Sequence, residues 1–327
     1  MMHSRRVHLG ILATFVGSSF YFGCGNRGSG TSASGDKPRV AVSIFPLWDI
    51  VRRVGGDRLE VILVLPPGRS EHSYDPTPKE MAQVAQAKLG LSVGLGMDAW
   101  LEKIVRGAAG NEVPIVQLGP KANPRKMTAE EVGEEAAEEA AEQKDKPDDH
   151  HEHEHEHHGA EDPHFWLDPV RMKMVVPTIV EALSKLDAAG AEGYKARGQT
   201  VEAELDKLHV MVGAKSKTWT KKTIVTFHGS MGYYAERYGL RISAVVEPFP
   251  GKEPTARYVK EVLGAIEKSQ AVALFSEPQL DRRPAQVIAD QAKLPLFELD
   301  PIGGGAGAET YEKLLEKNTT VLDKALR

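Results

Sequence analysis

Residues 148–158 read DDHHEHEHEHH. Six histidines, His150, His151, His153, His155, His157 and His158, are half of the twelve in the chain. Imidazole and carboxylate together are the donors that a borderline divalent cation such as zinc accepts. No apolar core would bury such an alternation, so the tract reads as a solvated, auxiliary segment that binds ions weakly. An ordered site needs donors held by defined elements. Outside the tract and the first twenty residues, four histidines remain: His72, His164, His209 and His228. His72 lies in PPGRSEHSYDPTP, after an apolar run ending at Leu65, and His228 directly follows the run TIVTF. His164 precedes the sequence LDP, and Asp300 follows a run ending at Leu299. In open α/β sheets, ligands bind beyond the carboxyl ends of strands, and these three imidazoles and one carboxylate share that context. Taken singly, a loop histidine is more often a surface residue, Asp300 before Pro301 a turn residue and Glu71 a solvated charge. His209 sits on a helical run beside Asp206 and Lys207 and reads as structural or exposed.

The elements that must position these residues alternate in type. Strand candidates are Arg39–Ile44, Leu59–Leu65, Leu89–Val93 and Val113–Leu118, then Thr223–Phe227, Ile242–Val246, Ala271–Phe275 and Leu296–Leu299. Helical runs fall between them, among them Pro78–Lys88 and Ala256–Lys268. Continuous apolar strands separated by helices imply parallel sheets covered on both faces. The expected fold is α/β, with two lobes that each hold a four-stranded, mainly parallel sheet flanked by helices. Asp168-Pro169 reads as an N-cap followed by proline at the first helical position. Met172, Val175, Val176, Ile179, Leu183 and Leu186 then recur at helical spacing. That run, 168–190, is the expected long connecting helix, and Thr200–Lys215 opens the second lobe. The domain reading is 39–167 for the first lobe and 191–327 for the second. Residues 124–162, which contain MTAEEVGEEAAEEAAEQ, have helix formers but almost no apolar face and read as a disordered or solvated excursion.

The 327 residues carry a formal net charge of -5 that is unevenly spread. Residues 130–156 hold thirteen acidic and two basic residues, so the remainder is net basic by six. It has no patch dense enough for nucleic acid. At the N-terminus, MMHSRRVH followed by LGILATFVGSSFYFG reads as a signal peptide, 1–23, too short for a membrane span. Cys24, the only cysteine, follows it, and 24–38 is a Gly/Ser-rich tether. This arrangement resembles a lipoprotein signal with Cys24 lipidated; simple cleavage with a free thiol is the alternative. Arg5-Arg6 leaves export by the Sec or twin-arginine route open. On either reading the mature domain has neither disulfides nor thiolate ligands.

Several segments together resemble the metal-binding family of ABC-transporter solute-binding proteins, in its zinc-binding, ZnuA-like branch with an acidic His-rich loop. SIFPLWDIVRRVGGD is similar to the family's first strand and helix. PGRSEHSYDPTPKEM, EDPHFWLDP, TFHGSMGYYAERYGL and ELDPIGG are similar to its ligand loops, and EPFPGKEPT and FSEPQ to further signatures, all in the family's order. The resemblance covers roughly 38–325. It implies a metal held by His72, His164, His228 and Asp300, with Glu71 or a water as alternatives for the fourth place. Manganese-type members usually carry Glu where this chain has His228, and three imidazoles favour Zn²⁺ over Mn²⁺. The implied activity is extracytoplasmic, periplasmic or on the outer face of the cell membrane. There a monomer captures Zn²⁺ and hands it to a membrane permease with its cytoplasmic ATPase, without being an enzyme. The rival readings are a manganese or broad divalent-metal carrier, a metal-dependent surface adhesin, and a zinc hydrolase built on the same three histidines.

Overall fold

The computed structural model describes residues 37–133 and 161–327. The proposed signal peptide, Cys24, most of the tether and the histidine tract lie outside the described residues. Residues 37–327 form one compact unit.

Two sheets of four strands organise the chain. The first contains β1 (Arg39–Val42), β2 (Glu60–Leu63), β3 (Ala87–Ser92) and β4 (Ile115–Gln117), in the order β2-β1-β3-β4. The second contains β5 (Thr223–Thr226), β6 (Arg241–Val245), β7 (Leu274–Ser276) and β8 (Leu296–Glu298), in the order β6-β5-β7-β8. Every pairing is parallel. The two sheets therefore repeat one topology, with buried central strands in both and with edge strands β2, β4 and β8 half-exposed while edge strand β6 is largely buried.

Helices α1 (Phe45–Gly55), α2 (Pro78–Val84) and α3 (Ala99–Ala109) belong to the first lobe. A single helical turn, α4 (Ala129–Val132), precedes α5 (Pro169–Leu186) and α6 (Ala191–Ser216). The second lobe adds α7 (Gly232–Tyr238), α8 (Ala256–Ser269), α9 (Arg282–Ala292) and α10 (Tyr311–Leu326). No described helix is long and apolar enough to cross a membrane.

Three expectations change. The connector is not one helix over 168–190. Asp168 caps α5 through its side chain, but α5 ends at Leu186, and after a short turn the 26-residue α6 links the lobes, packing on α5, α1 and α10. The Thr200–Lys215 run is the interior of α6. The helix expected over Pro78–Lys88 stops at Val84, because Ala87 and the residues after it pair with β1; ladder bonds override local helix propensity. The excursion expected over 124–162 is ordered at both ends. Thr128 and Glu131 form a reciprocal capping box, Lys126 pairs with Glu161, and Glu131 and Val132 are buried. Charge neutralisation by Arg125, which bonds Glu131 at 2.7 Å, makes that burial tolerable.

One apolar core runs from the first sheet through Phe165, Trp166, Val176 and Tyr194 to Tyr234, Tyr311 and Leu315. A second, smaller cluster fills the space between the β5-containing sheet and α8 and α9. A continuous apolar interface between lobes disfavours independent hinge motion. Trp166 and Tyr311 add hydrogen bonds across it: Trp166 Nε1 donates to Pro301 O at 2.7 Å, and Tyr311 OH to Trp166 O at 2.6 Å.

Candidate metal centre

His72 and Glu71 lie on the loop between β2 and α2. Its far end is fixed by the Thr77–Glu80 capping box that starts α2. Two aromatics pin it further: Trp100 Nε1 donates to Glu71 O at 2.9 Å, and Tyr74 OH to Val64 O at 3.0 Å. His164 sits where the chain enters a short turn before the Asp168-capped α5. His228 follows β5, and Thr226 Oγ1 donates to its carbonyl at 2.8 Å.

These loops converge. His228 Nε2 lies 3.3 Å from His72 Nε2 and 3.3 Å from His164 Nε2. Glu71 joins them: one ligand atom from each of Glu71, His72, His164 and His228 lies within 4.8 Å of the other three. Zinc–nitrogen bonds of about 2.0–2.1 Å in a tetrahedron imply donors roughly 3.3–3.4 Å apart, the spacing seen here. Glu71, His164 and His228 are buried, and His72 is half-buried at the rim.

The rings are oriented by carboxylates behind them. Asp162 Oδ1 lies 2.9 Å from His164 Nδ1 and also accepts from His164 N at 3.0 Å. Glu277 Oε2 lies 2.8 Å from His228 Nδ1, and its other oxygen accepts from Ser230 Oγ at 3.1 Å. An ionised carboxylate only accepts, so it favours the proton on Nδ1 and leaves the Nε2 lone pair facing the shared space. Lone pairs 3.3 Å apart repel, and a cation between them removes the repulsion. Glu71 Oε1 points the same way: it is buried, lacks a hydrogen-bond partner, and is 3.6 Å from His72 Nε2.

The electrostatics match this crowding. Burial pushes Glu71 up to about 7, against the pull of His228, and Glu277 and Asp300 raise it further. Burial alone would lower His228, but Glu277, then Glu71 and Asp162, overcome it and the imidazole is raised. Burial lifts Asp162 to about 6, although the His164 N–H and Arg125 oppose it. A divalent ion would favour the deprotonated forms of Glu71 and His228.

Asp300 is not in this group. Its Oδ1 accepts from Ile302 N at 3.1 Å, Gly303 N at 2.9 Å and Gln279 Nε2 at 2.8 Å, and Asn318 grips its backbone. The loop after β8 thus engages one oxygen of the carboxylate with its own backbone. His209 is elsewhere, with Nδ1 3.2 Å from Tyr238 OH on α7. His150 to His158 lie outside the described residues. Asp162 and Glu277 were not singled out in the sequence. Asp162 had a local signal, two residues before His164, and Glu277 lay in the FSEPQ segment, but its contact with His228 crosses from β7 to β5 and was not visible in the sequence.

Fold and site define a metal-binding protein of the ABC-transporter solute-binding class. The family described as zinc-uptake complex component A, periplasmic, matches residues 40–325, and the chain belongs to it. Among curated relatives, it is 30% identical to the high-affinity zinc uptake system protein ZnuA of Brucella abortus over 95% of this chain and 97% of that one. It is 24% identical to the manganese-binding lipoprotein MntA of Halalkalibacterium halodurans, over 90% and 91%. A crystal structure of ZnuA superposes with a TM-score of 0.74 at 23% identity, covering 89% of this chain and all of that one, which speaks to fold.

Proposed function

We propose that this protein captures Zn²⁺ outside the cytoplasm and delivers it to an ABC-type importer, a membrane permease with its ATPase. The observation that carries the reading is the 3.3 Å spacing of the three Nε2 atoms around His228. Three imidazoles suit zinc, whereas manganese favours harder oxygen donors. Glu71, buried and unpartnered at Oε1, is the proposed fourth ligand, and Asp300 instead shapes the loop beside it. Absence of thiolates suits an oxidising compartment, because imidazole and carboxylate do not oxidise there. Residues 1–23 are the proposed export signal, with Cys24 as the attachment point if it is lipidated. The tract 148–158 is proposed to bind further ions weakly and quickly.

The test is equilibrium competition on purified metal-free protein, with bound zinc, manganese and iron measured by elemental analysis. One zinc per chain retained against excess manganese supports the reading. Manganese retained over zinc would favour the likeness to the manganese-binding relative, and no metal retained would leave the family's adhesin-like members as the guide.

A further inference from the structure

Arg125 lies outside every motif described above, yet it organises the ground behind His164. Its guanidinium donates from Nη1 to Asp162 Oδ2 at 2.7 Å and from Nη2 to both oxygens of Glu131, at 2.7 and 2.9 Å. Nε lies 3.0 Å from Glu236 Oε2, and the group sits 5.6 Å from the centre of the Tyr233 ring. The main chain repeats the link. Asp162 N donates to Arg125 O at 2.7 Å, Arg125 N donates to Tyr233 OH at 3.1 Å, and Tyr233 OH donates to Asp162 O at 2.7 Å. Asp162 spends its other oxygen on His164.

The loop after His228 is cut away to admit this strap. A Cβ at Gly232 would collide with Arg125 Nη1 and come within 2.8 Å of Glu131 Oε1 and 3.0 Å of Asp162 Oδ2. A Cβ at Gly229 would strike Met127 and lie 2.6 Å from Glu131 O. Gly232 has ordinary right-handed helical angles, φ -57 and ψ -47, so backbone conformation does not call for glycine there. The close approach of the Arg125 cluster does.

We propose that Arg125 is a positioning residue for metal capture. It holds Asp162, Asp162 orients His164, and Gly229 and Gly232 keep the cradle open beside His228. The proposal rests on His164 being a zinc ligand. Outer-shell partners of a ligating histidine typically carry about 10–100-fold in metal affinity.

Gly232→Ala is the sharpest variant. A Cβ there displaces the Arg125 guanidinium, so some loss of stability is expected on any account, and zinc affinity with ligand geometry is the deciding readout. Zinc affinity is read by chelator competition for wild type, Gly232→Ala, Asp162→Asn and the double variant, with cobalt(II) absorption reporting ligand geometry. The expected result is a loss of about 10–100-fold for Gly232→Ala and an altered cobalt spectrum, in a metal-free protein that is still folded by circular dichroism. The double variant should bind no more weakly than Asp162→Asn alone, because both act through one contact. Arg125→Met should match Gly232→Ala; since it strips buried carboxylates of their cation, its folding is checked by circular dichroism, and Gly232→Ala decides if it does not fold. Wild-type affinity in Gly232→Ala, or losses that multiply in the double variant, would overturn the proposal. Failure of the wild type to bind zinc would instead defeat the functional reading itself.

Discussion

The two lobes share one strand order, yet the candidate ligands between them are held in two ways. In the first, Glu71 and His72 ride on a loop pinned through its backbone by Trp100 and flanked by Tyr74. At the other two positions the rings themselves are held, His164 by Asp162 and His228 by Glu277. Exposure follows the same division. The His72 side chain is 13% exposed, against 2% for His164 and 4% for His228. Two buried, carboxylate-backed imidazoles form a preorganised half-site, and buried Glu71 with the more exposed His72 completes it. A carrier needs both properties: preorganisation lowers the cost of binding, and a less buried edge gives the ion a way out.

Substitutions should separate the halves, and the largest effect is expected at His228. His228→Ala removes a proposed ligand and leaves Glu277 buried beside Glu71, so zinc affinity should fall by more than the roughly 100-fold ceiling of an outer-shell change. His72→Ala should cost less affinity and speed zinc release, as measured by stopped-flow chelator chase. Equal losses at the two positions would erase the distinction between the two kinds of support.

Asp162→Asn and Glu277→Gln come next, each expected to weaken zinc by about 10–100-fold while leaving its stoichiometry at one. Competition titration checks this. Unchanged affinity in both would mean that ring orientation by carboxylates does not matter here.

The pH dependence follows from Glu71 and His228. Glu71 titrates at about 7 in the fold, above its ordinary 4.5, and His228 is likewise raised above 6.5. Each therefore stabilises the metal-free protein fully below its ordinary value and loses that contribution as pH rises through the folded one. Bound zinc favours the deprotonated forms. The zinc-induced stabilisation should therefore be larger at pH 7.5 than at pH 5.5, and a free zinc concentration a thousand-fold above Kd corresponds to about 4 kcal/mol. Scanning calorimetry with and without zinc reads it, and a shift that does not grow with pH would argue against Glu71 and His228 as ligands.

The smallest effect is expected from deleting residues 148–158. The tightest binding event should survive with its affinity little changed, and only weaker events should disappear from the calorimetric titration.

The eight strands were legible because buried parallel strands are continuous apolar runs, and the three site histidines because each sits on a loop at the site end of the sheets. Helix α2 was overdrawn because Ala85–Lys88 suits a helix locally, and only pairing with β1 reveals a strand. The ordered ends of the acidic excursion were hidden for a different reason. Glu131 looks solvated in sequence, and its burial depends on Arg125 and, through it, on Asp162 thirty-seven residues later. The proposed fourth donor rests on contacts the sequence does not show: Gly303 N–H and Ile302 N–H hold Oδ1 of Asp300, while Trp100 fixes the backbone at Glu71.

The central claim is that three imidazoles and one carboxylate close on a single zinc ion. Zinc-edge X-ray absorption on protein lacking 148–158, loaded with one equivalent, tests it without interference from the tract. Three imidazole nitrogens and one oxygen at about 2.0–2.1 Å are the predicted shell. Fewer than three imidazoles, or six oxygen-rich ligands, would contradict it.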